Sequence, residues 1–261
     1  ENVPKVYYGG DDDQAIYGFA GADPDHFINL KGNKTVLKQS YRCPISVQNL
    51  SQEIIDRVDY RHPKEWKGTD KKGLVKYHSV PGSVDLSTEG TWLIQARTQY
   101  LLTRMEDDLR SEGVVYLRNG RLPVSKKLLN AVSGWEKLTE GEEIELQDVK
   151  DIYSYMSTQI GIEHGYKQLK TATQERYGME ELVMRQGLIG EVSGQPWDVA
   201  FDKVGNDDKD FIRAMQARNY SLTAEPRIQL STIHASKGGE ADNVMLLTDL
   251  SRKAREAMHR D

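Results

Sequence analysis

Short apolar runs along the chain predict β-strands. Three of these runs are "KVYY" at 5–8, "TVLKQSYR" at 35–42 and "GTWLIQART" at 90–98. Two more occur in "RIQLSTIHASKGGEADNVMLLTDL", at 228–233 and 243–247, separated by a loop that contains glycine. Runs of this length, bounded by Gly, Pro and polar residues, are typical of strands rather than helices.

Helical spacing of apolar residues follows two of these strands. After Pro44, which suits the first turn of a helix, it covers "ISVQNLSQEIIDRV". After the strand at 90–98 it covers "QYLLTRMEDDLRSEG", whose apolar residues share one face and whose Gly113 ends the helix. Strands that alternate with helices predict an α/β fold with a mainly parallel sheet covered by helices. From about 146 to 225 the pattern is helical without a convincing strand, which predicts a helical insertion.

Composition favours a cytoplasmic protein without a membrane span. The chain is 38% hydrophobic and 29% charged, and it contains no run of eighteen apolar residues. Its first residues lack the basic and apolar parts of a signal peptide. The single cysteine, Cys43, forms no internal disulfide, which fits a reducing compartment. Six scattered histidines and one cysteine offer no zinc-ligand spacing, so we expect no metal site built from them.

The net charge of −5 gives no overall positive field of the kind that attracts nucleic acid, so a nucleic-acid site requires a locally basic groove. The stretch "GGDDDQAIYGFAGAD", 9–23, combines carboxylates, a glutamine and aromatic residues. Carboxylates bind Mg²⁺, a glutamine orients water or a terminal phosphate, and exposed aromatics stack on bases. The alternative is a solvated acidic turn.

Two other stretches carry candidate chemistry. In "QSYRCP", Tyr41 offers a face to a purine and Arg42 a planar fork to a phosphate, although such a pair taken by itself more often reflects packing and a surface charge. In "STIHASKGGE", hydroxyl groups and Lys237 favour phosphate contact, and Glu240 accepts hydrogen bonds from ribose hydroxyls. A lone histidine such as His234 is more often structural than catalytic.

In this order, "GDDDQAIYGFAGAD", "LKQSYRCP" and "TIHASKGGEADNVML" resemble motifs of the UvrD/Rep family of superfamily 1 DNA helicases, and "ARTQYLLTRMEDDLRSEGVVY" resembles a segment between the last two. The resemblance implies RecA-like lobes, ATP with Mg²⁺ as cofactor, and single-stranded DNA and duplex junctions as partners. It divides the chain into the end of a first lobe (1–30), a second lobe in two parts (31–145 and 226–261), and a helical insertion (146–225) in place of a larger accessory subdomain.

The same resemblance implies roles for individual residues. Gln14 and Arg42 match catalytic positions that reach the γ-phosphate, and Tyr41 matches the residue that stacks on adenine. The full nucleotide-binding set is Asp13, Gln14, Tyr41, Arg42, Lys237, Gly238 and Glu240. The DNA-binding set is Tyr17, Phe19, Arg97, Gln99, Thr232 and His234. No metal ligand is assigned, because the family's Mg²⁺ ligands have no match in this sequence.

Two departures from the family leave a second hypothesis open. The phosphate loop G-x-x-x-x-G-K-[ST] is absent, and Ala20 stands where many relatives carry arginine. One hypothesis is that the chain is the later part of a helicase that moves along DNA from 3′ to 5′ and joins a missing N-terminal lobe, the isolated chain being inactive. The alternative is a non-catalytic helicase-like module that binds single-stranded DNA or a protein.

Overall fold

A computed structural model describes residues 5–170 and 172–250. The chain divides into two compact units, Glu1–Asp85 and Leu86–Asp261. The elements of the first unit are helix α1 (Asp25–Ile28), strand β1 (Gln39–Pro44), helix α2 (Ile45–Ile55) and strand β2 (Lys67–Thr69). It also has short 3-10 turns at Asp12–Gln14, Gly18–Ala20 and Pro81–Ser83. Strands β1 and β2 pair in parallel, and Pro44 precedes α2 as the sequence predicts.

The strand predicted at 5–8 is wrong. Residues 5–10 form no strand, and Tyr7 and Tyr8 are exposed. A strand needs a neighbour for its backbone hydrogen bonds, and no strand in the described part of the chain pairs with this stretch. The strand predicted at 35–42 begins later, at Gln39, because its partner β2 spans only Lys67–Thr69.

The second unit is built on a sheet, and its described helices all lie between the first strand and the last two strands along the chain. Its elements are β3 (Trp92–Ala96), α3 (Gln99–Ser111), β4 (Tyr116–Arg118), α4 (Lys126–Thr139), β5 (Ile144–Glu145), α5 (Leu146–Ser154), β6 (Arg176–Tyr177), α6 (Met179–Arg185), α7 (Gly190–Ser193), α8 (Trp197–Ala200), α9 (Asn206–Ala217), β7 (Ile228–Thr232) and β8 (Asn243–Leu247). The four-stranded sheet is parallel throughout, in the order β4-β7-β3-β8. This confirms the predicted α/β fold with a parallel sheet, and it is consistent with a RecA-like fold.

The core of the sheet follows the predicted pattern. Ile94 in β3 and Leu230 in β7 are fully buried, as expected for strands covered on both faces. Helix α3 buries Leu102, Met105 and Leu109, which is the predicted face. Gly113 follows this helix with φ of 67°, and a Cβ atom there would lie 2.3 Å from a backbone carbon of Ala214. Only glycine therefore fits at this turn.

The region predicted to be helical has its own apolar core. Trp135, Tyr153 and Phe201 lie at its centre, and Trp135 Nε1 donates a hydrogen bond to the carbonyl oxygen of Gln195 at 3.0 Å. Within the described part of 146–225, the only strand is the two-residue β6, which confirms the helical character. Helix α4, upstream of residue 146, contributes to the same core. No helix in the described ranges is long and apolar enough to cross a membrane.

Candidate functional site

The acidic stretch forms a 3-10 turn held by its own side chains. Asp11 precedes the turn Asp12–Gln14, and its Oδ1 accepts a hydrogen bond from the backbone N–H of Asp13 at 3.2 Å. Its other carboxylate oxygen, Oδ2, accepts a hydrogen bond from Gln14 Nε2 at 2.6 Å. One aspartate therefore fixes both the turn and the glutamine side chain.

Two basic side chains further along the chain form ion pairs with the three aspartates of the acidic stretch. Lys64 Nζ lies 2.8 Å from Asp11 Oδ1 and 3.2 Å from Asp13 Oδ2, and it also contacts Asp12 Oδ1. The guanidinium of Arg61 is bidentate to Asp13, with Nε 2.9 Å from Oδ1 and Nη2 2.8 Å from Oδ2. We call these five residues (Asp11, Asp12, Asp13, Arg61 and Lys64) the charge network.

The network shifts the pKa of Asp12, Asp13, Arg61 and Lys64 toward the charged forms. The hydrogen bond from Arg61 lowers the pKa of Asp13. Burial opposes the ionisation of Asp12, but hydrogen bonds from Lys64 and from the backbone N–H of His62 outweigh it and lower the pKa. Burial likewise opposes the charge on Lys64, but the three carboxylates raise its pKa. These four groups are therefore charged together at neutral pH.

The charge network does not fit a magnesium site in this arrangement. The carboxylates of Asp11, Asp12 and Asp13 have ligand atoms within 4.8 Å of one another, which is the donor chemistry that Mg²⁺ prefers. The ammonium group of Lys64, however, contacts all three of these side chains. A cation already stands where the ion would be held, so we assign no metal to these residues.

The remaining predicted residues of the first unit lie on the same loop and on β1. Tyr17 is half-buried and precedes the turn Gly18–Ala20, and the side chain of Phe19 lies outside the described part of the structure. Tyr41 is 85% exposed on β1, next to the exposed Arg42. An exposed aromatic face of this kind is free of the packing that would otherwise oppose stacking on a base.

In the second unit, predicted DNA-binding residues meet at the carboxyl edge of the sheet. Arg97 follows β3, and Gln99 is the first residue of α3. Thr232 ends β7, and His234 follows it. Because β3 and β7 are parallel neighbours with Ala96 opposite Thr232, the two stretches emerge side by side. This edge is where open α/β sheets hold their ligands.

The loop after β7 is fastened to the neighbouring strand. The carbonyl oxygen of Thr232 accepts a hydrogen bond from the backbone N–H of Ser236 at 3.0 Å. Ser236 Oγ in turn accepts a hydrogen bond from Gln95 Nε2 on β3 at 2.6 Å. The nucleotide-binding residues predicted on this loop are exposed, with Gly238 at φ of 84°; they are Lys237, Gly238 and Glu240.

Several residues of these sites were not predicted from the sequence. Arg118 Nη2 donates to the backbone oxygen of Gln99 at 3.2 Å and to Gln99 Oε1 at 2.7 Å, so it holds a predicted DNA-binding side chain. The Asn119-Gly120 dipeptide beside it, at φ of 51° and 76°, is a recognisable turn pattern that marks the end of β4. Arg61, Lys64 and Gln95 carry no comparable pattern, because their partners are distant in sequence.

A parallel α/β sheet with polar residues at its carboxyl edge is typical of proteins that bind ligands at that edge. Comparison with known proteins indicates which proteins of this class the chain resembles. The chain is 23% identical over 154 residues to the ATP-dependent DNA helicase PcrA of Staphylococcus aureus (strain NCTC 8325 / PS 47), covering 56% of this chain and 20% of the relative. It is 23% identical over 155 residues to PcrA of Leuconostoc citreum, covering 57% and 20%. No family model and no solved structure matches. The match spans about a fifth of these relatives' length and supports a distant relationship to DNA helicases.

Proposed function

We propose that this chain is part of an ATP-dependent DNA helicase or translocase that moves along single-stranded DNA from 3′ to 5′. One observation supports the proposal above others. Arg97 and Thr232, far apart in sequence and both predicted to contact DNA, follow or end neighbouring parallel strands at one sheet edge. The similarity to PcrA and the three ordered motifs agree with it.

In this proposal the two motifs of the first unit face ATP. Gln14 contacts the γ-phosphate or the attacking water, Tyr41 stacks on adenine, and Arg42 neutralises charge that develops on the phosphates. Asp13 keeps its ion pair with Arg61 and supports the turn that carries Gln14. ATP brings Mg²⁺, whose ligands we place on residues other than the charge network.

The second unit supplies the DNA contacts in this proposal. Arg97 binds a backbone phosphate, Gln99, Thr232 and His234 line the sheet edge, and Tyr17 and Phe19 provide stacking faces. For Lys237, Gly238 and Glu240, on the connection after β7, we keep the nucleotide-binding role that the family resemblance implies. Contacts to the γ-phosphate that form on binding and vanish on hydrolysis change the relative position of two RecA-like lobes, which moves the protein along the strand.

A second candidate function is a non-catalytic module that binds single-stranded DNA. The sheet edge with Arg97 and Thr232 serves such a module equally well. Ala20, where many relatives carry arginine, and the engagement of all three aspartates by Lys64 favour it. In this case the nucleotide-facing residues retain only structural roles.

DNA-stimulated ATP hydrolysis by the gene product that carries this chain separates the two candidates. The informative variant is Arg42→Ala, and Arg57→Ala is the matched control because it removes another exposed arginine of the same unit. We expect activity that Arg42→Ala lowers about a hundredfold or more and Arg57→Ala leaves within twofold. Equal activity in both variants contradicts the role of Arg42. Absence of hydrolysis in the unmodified protein, with single-stranded DNA still bound, supports the non-catalytic module.

A further inference from the structure

The charge network joins two stretches that the sequence gives no reason to connect. Asp11 to Asp13 belong to the acidic turn, whereas Arg61 and Lys64 lie in the segment that follows α2. The predicted domain boundary at residue 30 lies between them. The network is therefore one of the contacts between residues assigned to the first lobe and residues assigned to the second, beside the bonds from Asn29 to Tyr60 and from Lys34 to Ile28.

The segment that carries Lys64 is itself anchored to the unit's other motif. Gln48 of α2 donates from Nε2 to the carbonyl oxygen of Trp66 at 2.6 Å and accepts from the backbone N–H of Gly68 at 3.0 Å. Gly68 lies in β2, which pairs with β1, the strand that carries Tyr41 and Arg42. The segment that carries Lys64 is thus linked by hydrogen bonds to β1, which carries Tyr41 and Arg42.

Four of the five side chains in the network are largely shielded from water, and the fifth, Asp11, is 36% exposed. The side chains of Asp12 and Lys64 are 3% and 14% exposed, and those of Arg61 and Asp13 are 13% and 14% exposed. Charges shielded from water in this way are screened less by salt than surface pairs. Without the ammonium of Lys64, three carboxylates with atoms within 4.8 Å of one another would repel.

Asp11 connects the charge network to Gln14, because its carboxylate contacts both Lys64 and the glutamine side chain. Its Oδ1 contacts Lys64 Nζ at 2.8 Å, and its Oδ2 accepts the hydrogen bond from Gln14 Nε2 at 2.6 Å. The orientation of the Gln14 amide is thereby linked to the position of Lys64 through a single carboxylate.

We propose that Lys64 and Arg61 are positioning residues for Gln14. They hold the acidic turn in the geometry from which the glutamine acts, and the three aspartates serve as their counter-charges rather than as metal ligands. This inference rests on the proposed function, because it assigns the purpose of the geometry to ATP hydrolysis. In this inference the run Asp11–Asp13 couples the motif that contains Gln14 to the motif that contains Tyr41 and Arg42.

The test uses the gene product with Lys64→Met, which removes the ammonium and keeps the chain length, and with Lys64→Arg as the conservative rescue. Lys34→Met is the matched control, because Lys34 Nζ donates to the carbonyl oxygen of Ile28 in the same unit and pairs with no acid among the residues that the structure describes. Two experiments are made on each variant. The first measures millisecond hydrogen exchange of the turn amides, and the second measures kcat and KM for ATP with DNA present.

We expect Lys64→Met to accelerate exchange at Asp13 and Gln14 and to lower kcat about ten- to a hundredfold, the equivalent of one charged hydrogen bond. KM for ATP should stay within about threefold, since the glutamine acts on the reacting phosphate. Lys64→Arg should restore most of kcat, and Lys34→Met should match the unmodified protein. A merely structural role would not produce this split between kcat and KM.

Other outcomes overturn the inference. Unchanged exchange in Lys64→Met shows that the network does not hold the turn, and accelerated exchange with unchanged kcat shows that the turn does not position a catalytic group. If Lys64→Met fails to fold, Asp11→Ala decides, because it breaks the connection to the glutamine and leaves Asp12 and Asp13 paired; unchanged kcat then refutes the inference. Lack of DNA-stimulated hydrolysis in the unmodified protein removes the proposed function and the inference together, whereas the preceding outcomes leave the proposed function standing.

Discussion

Replacing Arg118 by methionine removes the contacts that hold α3 and Gln99 on the edge strand β4. The guanidinium donates twice to Gln99, and its Nη1 lies 3.2 Å from Glu106 Oε2. Methionine keeps most of the apolar stem, so the loss is confined to polar interactions. Glu106 retains its hydrogen bond from the Tyr116 hydroxyl at 3.0 Å and is not left without a partner.

The expected cost follows from the exposure of these groups. A hydrogen bond from a charged donor contributes about 1.5–3 kcal/mol, and the exposure of Gln99 places this one at the lower end. The Arg118–Glu106 ion pair, with side chains 16% and 26% exposed, adds about 0.5 kcal/mol. The free energy of unfolding should therefore fall by about 2 kcal/mol. For a unit of this size that lowers Tm by about 4–8 °C.

Differential scanning calorimetry of the gene product measures this change, and Arg185→Met is the matched control. Arg185 is 70% exposed on α6, and it forms an ion pair with Glu181 one turn earlier, with an N–O distance of 3.7 Å. Its replacement should cost less than about 0.5 kcal/mol. If both variants lower Tm equally, the bonds from Arg118 contribute no more than a surface pair. The inferred tethering of Gln99 is then wrong.

Three further changes test the packing and the charges. Gly113→Ala should lower the free energy of unfolding by at least about 2 kcal/mol in chemical denaturation, because φ is 67° and the added Cβ would meet the backbone of Ala214; wild-type stability would contradict the close approach. Trp135→Ala, at a side chain 1% exposed, should cost about 3–5 kcal/mol in the same assay, and a loss below 1 kcal/mol would argue against its central place in the core. The lowered pKa values of Asp12 and Asp13 give stability that is present above their ordinary pKa of 3.8 and is lost as the pH falls through the lowered values. Exchange of the turn amides should therefore accelerate at acid pH beyond its intrinsic dependence, and Lys64→Met should weaken this effect.

Three of the four strands in the sheet of the second unit, β3, β7 and β8, were predicted from the sequence, whereas the three-residue β4 was not. The run Trp92–Ala96 is apolar at four of its five residues, which leaves few alternatives to a covered strand, and Gly113 marks the end of the helix that follows it. The run at 5–8 has the same local character, yet it remains exposed. Local pattern specifies what a segment is able to bury, whereas strand formation also requires a partner at the right place in space, which no window of sequence contains.

The same distinction between local pattern and distant partners applies to the candidate sites. That Arg97 and Thr232 share an edge follows from strand ends and parallel order, both of which are readable from apolar runs. The partners of Asp11–Asp13 are not readable, because the oppositely charged residues lie in a segment without helical or strand periodicity. An acidic run followed by glutamine is compatible with a metal site, a solvated turn or an ion-pair network. Which of these three forms depends on which cation the fold places beside the carboxylates. In this fold Lys64 and Arg61 supply it from the chain itself, so the glutamine is oriented by a neighbouring segment.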